Sequence, residues 1–233
     1  MIVCHKYRYI FLKTSKTAGT SVEIALSRFC EPGDIVTPVS PEDELLRQQA
    51  GGMPSTFYPA RWHEYGPRDW LKRWQKGKRK QHFYNHIPAR KLRKRLPAEV
   101  WENYYKFTIV RNPWDRVISQ YYWRCRGVPE AQRPDMDAFL ESSDVRALVR
   151  KGFGLYTIHG QSQADFLVRY ESLADDLEQV RTRLGLPEPL QLPGAKSGYR
   201  KDRRHYSEVY TPAQRDRVAE LFRDEINLTG YTF

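Results

Sequence analysis

No run of about 18 to 20 continuous apolar residues occurs in the chain, so no membrane-spanning helix is expected. Lys, Arg, Thr and Glu are mixed through the apolar part of the N-terminal stretch, which leaves no secretory leader to be read there. Cysteine is scarce. Cys4, Cys30 and Cys125 are odd in number and far apart, so neither a CxxC metal site nor a complete disulfide framework is implied, and a reducing, cytoplasmic location is expected. Internal repeats and low-complexity tracts are absent, and no clustered pair of carboxylates marks an obligatory metal. A G-x-x-x-x-G-K-[ST] nucleotide loop is missing too: Lys16 precedes Gly19, and no glycine stands four to six residues upstream of that lysine.

Positive charge, by contrast, is in excess. Lys and Arg number 39 against 28 Asp and Glu, a net charge of +11, which favours an anionic partner such as a nucleotide, nucleic acid, acidic glycan or membrane surface. With 233 residues the chain can bury a sizeable core and is read as a single domain over 1–233.

Strand and helix patterns alternate. "YRYIFLK" (Tyr7 to Lys13) ends apolar on both alternating faces, as a strand buried inside a parallel sheet does. From Gly19 the period becomes helical, with Val22, Ala25, Leu26 and Phe29 on one face, and Thr20 with Glu23 has capping-box spacing. Residues 31–80 lack sustained periodicity and hold much Pro, Gly, Trp and Arg, which predicts a long irregular surface segment, of a length often given to functional lids. "NHIPARKLRKRLP" then places His86 just before a basic helix with Pro88 in its first turn. A second apolar strand runs through Val110 into a helix with Asn112 as N-cap and Pro113 at its first position. "FLVRYESLADDLEQVRTRLGL" reads as a strand, a Ser172 cap and a helix ending near Gly185; Thr211, Pro212 and Gln214 open a last helix. The alternation predicts a three-layer α/β fold with a mostly parallel sheet.

Two of these strand-to-helix turns carry anion-binding chemistry. At the first, Lys16, Thr17, Ala18, Gly19, Thr20 and Ser21 offer one positive charge, hydroxyls and backbone donors to a phosphate-like group at a helix start. At the second, Arg111 ends the strand and Ser119 lies eight residues on, about two turns up the next helix. Taken singly, Lys16 could be a solvated turn lysine, Arg111 could pair with Asp115, and Ser119 could be a plain helix serine.

With "KTAGTS" (Lys16 to Ser21) and "RNPWDRVIS" (Arg111 to Ser119) in this order, the sequence resembles the PAPS-dependent sulfotransferases, particularly the carbohydrate type. "NHIPARKL", "FLVRYESLADDL" and the closing "GYTF" extend the resemblance to nearly the whole chain apart from residues 31–80. Ser15 stands where proline is common in that family, and its presence removes no ligand group. The resemblance implies a P-loop-like three-layer fold and transfer of a sulfuryl group from PAPS to a hydroxyl or amine of a carbohydrate or other small acceptor. Adenosine 3′,5′-bisphosphate is left as product, and no metal is required. It implies that the first turn holds the 5′-phosphosulfate and that Arg111 and Ser119 hold the 3′-phosphate. Arg200 and Lys201 would close over the nucleotide. Lys16 would stabilise the departing oxygen, and His86 would act as general base, its imidazole neutral at an ordinary pKa of about 6.5.

His63 beside Glu64 is the rival base, and a capping or packing role for His86 stays open. Trp62, Trp70 and Trp74 fall in the acceptor-side segment, where core and lid packing or sugar contact would both suit them. Two other functions remain: a basic nucleic-acid-binding module, supported by net charge though by no recognised motif, and a degenerate P-loop kinase, which the placement of Lys16 opposes.

Overall fold

The computed structural model describes residues 1–77, 79–194 and 204–233. The chain opens with a hairpin, β1 (Ile2–Cys4) and β2 (Tyr9–Leu12), in which Val3 pairs with Ile10. The apolar run from residue 7 thus contains a strand, but one preceded by a short antiparallel partner that sequence reading did not find. Next come α1 (Gly19–Ser27), the two-residue β3 (Ile35–Val36) and the helices α2 (Pro41–Gln49) and α3 (Pro67–Lys76). The 31–80 segment is therefore not irregular throughout. Ser40 caps α2 by accepting from the Asp43 amide at 3.3 Å, and Pro41 occupies its first turn.

The short helices α4 (Ala89–Arg93) and α5 (Ala98–Asn103) lead into β4 (Tyr105–Val110) and α6 (Pro113–Arg124). Asn112 caps α6 as expected, its Oδ1 accepting from the Trp114 amide at 3.1 Å. After α7 (Met136–Leu140), α8 (Ser143–Arg150) and α9 (Phe153–Tyr156) come a small ribbon, β5 (Thr157–Ile158) with β6 (Gln161–Ser162), and then β7 (Phe166–Arg169). The order closes with α10 (Leu173–Leu184), α11 (Pro212–Leu221) and α12 (Arg223–Thr229). Gly185 ends α10 in the left-handed region (φ 65°), while Ser172 occupies the N-cap position without a capping hydrogen bond from its side chain. Thr211 and Gln214 form the reciprocal box at the start of α11.

The main sheet has the order β3-β1-β2-β4-β7. β2, β4 and β7 are parallel and β1 is antiparallel to both its neighbours, so four of the five strands point the same way. Alternation along the strands sends Val3, Ile10 and Leu12 to one face, against Leu92, Trp101 and Tyr156. Ile2, Phe11, Phe107 and Val168 go to the other, against Val22, Leu26, Leu177 and Val180. Helices cover both faces, and the carboxyl ends of β2, β4 and β7 share one edge, where open α/β sheets place ligands.

One sequence expectation is corrected at α1. Its N-cap is Ala18 in a left-handed conformation with no side-chain cap, and Glu23 is fully buried rather than folded back on Thr20. Three charged groups from other elements reach that carboxylate, as described below. A separate helical core, with Trp114, Val117, Phe139, Leu148, Val218 and Phe222 among its members, fixes α6 against α7, α8 and α11.

Behind that core, Arg116 donates to Glu225 through both terminal nitrogens, one at 2.7 Å, with neither side chain exposed. Gly152 packs on this pair: a Cβ there would stand 2.7 Å from one guanidinium nitrogen and 3.0 Å from a Glu225 oxygen. Gly152→Ala is expected to lower the unfolding free energy by about 1 to 3 kcal/mol through overpacking. A fall in the denaturation midpoint at unchanged slope would show it; an unshifted midpoint would mean that the pair can move aside.

Candidate functional site

β2 ends at Leu12, and the turn from Lys13 to Ala18 carries the chain into α1. The turn is tied to the neighbouring strand, since Thr14 Oγ1 donates to the Ile109 carbonyl and Thr108 Oγ1 donates to the Leu12 carbonyl at 2.7 Å. Lys16 (φ 66°) and Ala18 (φ 57°) adopt left-handed backbone. Such residues alternating with right-handed ones turn successive N–H groups into one concavity, an anion nest continuous here with a helix start. Gly19 keeps the turn tight: a Cβ there would lie 3.0 Å from Lys13 Cγ and 3.3 Å from the Thr14 carbonyl oxygen.

A cleft of about 810 Å³ opens over this turn. Lys16, Thr17, Ala18, Gly19, Thr20 and Ser21 all line it. So do His86, Arg111 and Ser119, from three other places in the sequence. Arg200 and Lys201 lie outside the described residues. His63 is exposed on a 3-10 turn and is not part of the cleft wall, nor are Trp62, Trp70 and Trp74. His82 is engaged with Glu64 Oε2 at 2.7 Å and His205 with Ser207 Oγ at 2.7 Å.

His86 is held by its backbone and by one bond. Its φ of 57° swings the ring inward ahead of α4, and Nδ1 lies 3.2 Å from the Lys13 carbonyl oxygen. Since a carbonyl only accepts, Nδ1 carries the hydrogen and Nε2 keeps the lone pair. Burial, reinforced by the positive charge of Lys13 and only partly offset by that hydrogen bond, lowers the His86 pKa from its ordinary 6.5 to about 3. The ordinary value expected from sequence is thus corrected. The ring is neutral well below pH 7, at the cost of being a weaker base.

Beneath it lies a buried charge cluster. Lys13 Nζ donates to Glu23 Oε2 at 2.6 Å, while Thr37 Oγ1 donates to Oε1 at 3.0 Å and Arg47 reaches the same oxygen at 3.4 Å. Burial alone would raise the Glu23 pKa, but Lys13, the terminal amine and Arg47 together pull it down to about 2. The carboxylate stays ionised, and the cluster ties β2, α1 and α2 together under the cleft floor.

Arg111 joins the two turns. It donates to Asp115 Oδ2 through Nε at 2.8 Å and through a terminal nitrogen at 2.7 Å, and to the Lys16 carbonyl at 3.0 Å. Its guanidinium carbon sits 4.0 Å from the centroid of the Tyr170 ring. The pairing with Asp115 weighed from sequence is present together with a place on the cleft wall. Lys16 Nζ lies 4.7 Å from the Trp123 ring centroid. Trp123, Tyr170 and Lys151, also in the wall, escaped sequence reading. Trp123 could have been found, because it is four residues after Ser119 and so on the same helix face.

Away from the cleft, the fold brings Cys4, Cys30 and Asp34 within 4.8 Å of one another despite their spacing in sequence. Both Asp34 oxygens accept backbone amides there, from His5 at 2.7 Å and Glu31 at 2.9 Å, so the carboxylate fastens the turn between the hairpin and β3.

The cleft thus offers an anion nest, five cationic side chains at its wall among the described residues (Lys13, Lys16, Arg111, Arg124 and Lys151) and a neutral imidazole opposite, a set suited to a nucleotide carrying phosphate-like groups at two places. Comparison with known proteins agrees with that chemistry. An uncharacterized protein of Archaeoglobus fulgidus is 29% identical over 121 residues, 49% of this chain and 98% of that one. No solved structure matches significantly. Residues 1–153, which contain the first turn, His86, Arg111 and Ser119, match the family model described as "Sulfotransferase family", and the chain belongs to that family.

Proposed function

We propose that the protein transfers a sulfuryl group from PAPS to a hydroxyl or amine of a carbohydrate or other small acceptor. The observation that carries this reading is the convergence of both strand-to-helix turns and His86 on one cleft. PAPS supplies the activated sulfuryl group and departs as adenosine 3′,5′-bisphosphate. Amides and hydroxyls from Thr17 to Ser21 bind the 5′-phosphosulfate at the start of α1. Lys16 faces the oxygen on which charge builds as the bond to sulfur breaks, the kind of contact that strengthens in the transition state. Arg111 and Ser119 take the 3′-phosphate, with Arg111 shared between that phosphate and Asp115.

His86 Nε2 receives the proton of the acceptor hydroxyl as that oxygen attacks sulfur in line with the departing group. Its low pKa in the free protein rises when a polyanionic donor settles nearby, which strengthens the base when it is needed. One domain over residues 1–233 carries all these parts.

Thermal shift tests the reading. Adenosine 3′,5′-bisphosphate is expected to raise the melting temperature well beyond AMP, which lacks the 3′-phosphate. Arg111→Ala should erase most of that difference by removing a charge-assisted contact, a loss on the order of 1.5 to 3 kcal/mol for the bisphosphate alone. Equal shifts with both nucleotides in the unmodified protein would sink the assignment.

A further inference from the structure

The helix α3 buries none of its residues. A ten-residue helix is marginal in water unless one face is packed, and this one is sharply two-sided. At 100° per residue, Trp70, Trp74 and Leu71 fall within one arc of about 100°, whereas Arg68, Lys72 and Lys76 occupy the opposite arc. The apolar arc is open to solvent: Trp74 is 85% exposed, Leu71 50% and Trp70 39%. Trp62, 77% exposed, extends it, with its ring 5.6 Å from that of Trp70.

The helix is nevertheless held in place. A bridge between Pro59 and Gln81 closes the base of the excursion, and Lys80 Nζ pairs with Asp69 at 2.6 Å. Glu64 grips His82 at 2.7 Å and Arg95 at 2.5 Å, which fastens the excursion to the basic segment after His86. Asp69 is the sole acidic residue of α3, and its charge is used at this base, so the rest of the helix presents cations, indoles, Leu71 and the neutral Gln75 without an acid.

Tryptophan and leucine on one arc with lysine and arginine on the other is the pattern of a helix lying in the headgroup region of a bilayer, rings toward the acyl boundary and cations toward lipid phosphates. A second copy of the chain fits less well, because a two-fold contact through α3 would set like charges against each other in a protein of net charge +11. Among the described residues no helix is long and apolar enough to cross a membrane, so the contact is peripheral. We propose that α3, extended by Trp62, is a docking surface for anionic phospholipid bilayers. The inference is independent of the sulfuryl-transfer reading.

Co-sedimentation with vesicles decides it. The full chain is expected to pellet with phosphatidylcholine vesicles containing about a third phosphatidylserine and not with phosphatidylcholine alone. Each cation near such a surface contributes about fivefold to partitioning, so Lys72→Glu/Lys76→Glu should lower it roughly 20-fold or more. Trp70→Ala/Trp74→Ala should lower it on the order of tenfold and abolish the blue shift of tryptophan emission on vesicles. The lysine variant should melt like the unmodified protein, since both side chains are exposed, and the tryptophan variant should stay folded, although Trp70, 39% exposed, also gives up its ring contacts with Trp62 and Tyr65. Failure to pellet, equal pelleting with both vesicles, or undiminished binding by the tryptophan variant would overturn the proposal. It would also fall if Trp70→Ala/Trp74→Ala abolished self-association in sedimentation velocity, or capture by dextran sulfate, while vesicles went unbound.

Discussion

His86→Asn is expected to leave the protein folded, to leave bisphosphate nucleotide affinity unchanged and to cost roughly 10²- to 10⁴-fold in turnover, the usual share of general base catalysis. Asparagine suits the site because it tolerates the left-handed backbone at φ 57° and can donate to the Lys13 carbonyl as Nδ1–H does. What it lacks is a nitrogen able to take a proton. The pH profile adds a second readout. With the His86 pKa lowered to about 3 in the free protein, kcat/KM should show no acidic limb from this ring near 6.5, and the limb should lie far lower. A limb near pH 6.5 that His86→Asn removes would contradict the buried, Lys13-facing environment. Normal turnover by the variant would move the base elsewhere.

The second large effect is on stability. Glu23→Gln is expected to cost about 3 to 5 kcal/mol, because it preserves shape while leaving Lys13 and Arg47 without the carboxylate they share in a fully buried place. Urea unfolding should show the midpoint falling at constant slope; a change under about 0.5 kcal/mol would mean that the cluster does not need its anion. The same groups set the acid response. The Glu23 pKa is lowered in the fold, so its contribution is present above about 4.5 and is lost as pH falls through about 2. His86 acts in the same direction: the unfolded chain binds a proton below its ordinary 6.5 that the folded chain refuses until about 3, so stability drains as pH falls across that window. His86→Asn should therefore resist mild acid better than the unmodified protein while Glu23→Gln starts from a lower plateau.

The parts of the fold that could be read from sequence are those whose signals are local. Asn112 with Pro113, and Thr211 with Pro212 and Gln214, announce helix starts by capping chemistry that the structure repeats atom for atom. β1 and β3 escaped because three and two residues are too few to show a period, and they exist through pairing with β2 and with each other. α2 carries a local signal as well, Ser40-Pro41 followed by acidic residues, which the lack of a sustained period over residues 31–80 hides. Glu23 was misread for a different reason. Its spacing from Thr20 suits a cap, whereas its partners Lys13, Thr37 and Arg47 converge only in three dimensions. In the site, "KTAGTS" and "RNPWDRVIS" mark residues that do line one cleft, yet neither the Tyr170 ring under Arg111 nor the burial that lowers the His86 pKa leaves any mark in a linear pattern.

The strand order also bears on the sequence of events in folding. β1 and β2 are joined by residues 5–8 alone and can pair within microseconds, as local hairpins do. The bonds that brace the anion-binding turn span far more chain, 95 residues from Thr14 to Ile109 and 96 from Leu12 to Thr108. Closing such loops costs entropy before any contact repays it, which places long-range parallel pairing late. On the ribosome the turn from Lys13 to Ala18 emerges well before β4, and until that strand arrives it is held only by local contacts such as that between the Thr14 and Thr17 hydroxyls, 2.9 Å apart. The bracing of this turn is thus completed late, once β4 has paired with β2, after much of the local structure has formed.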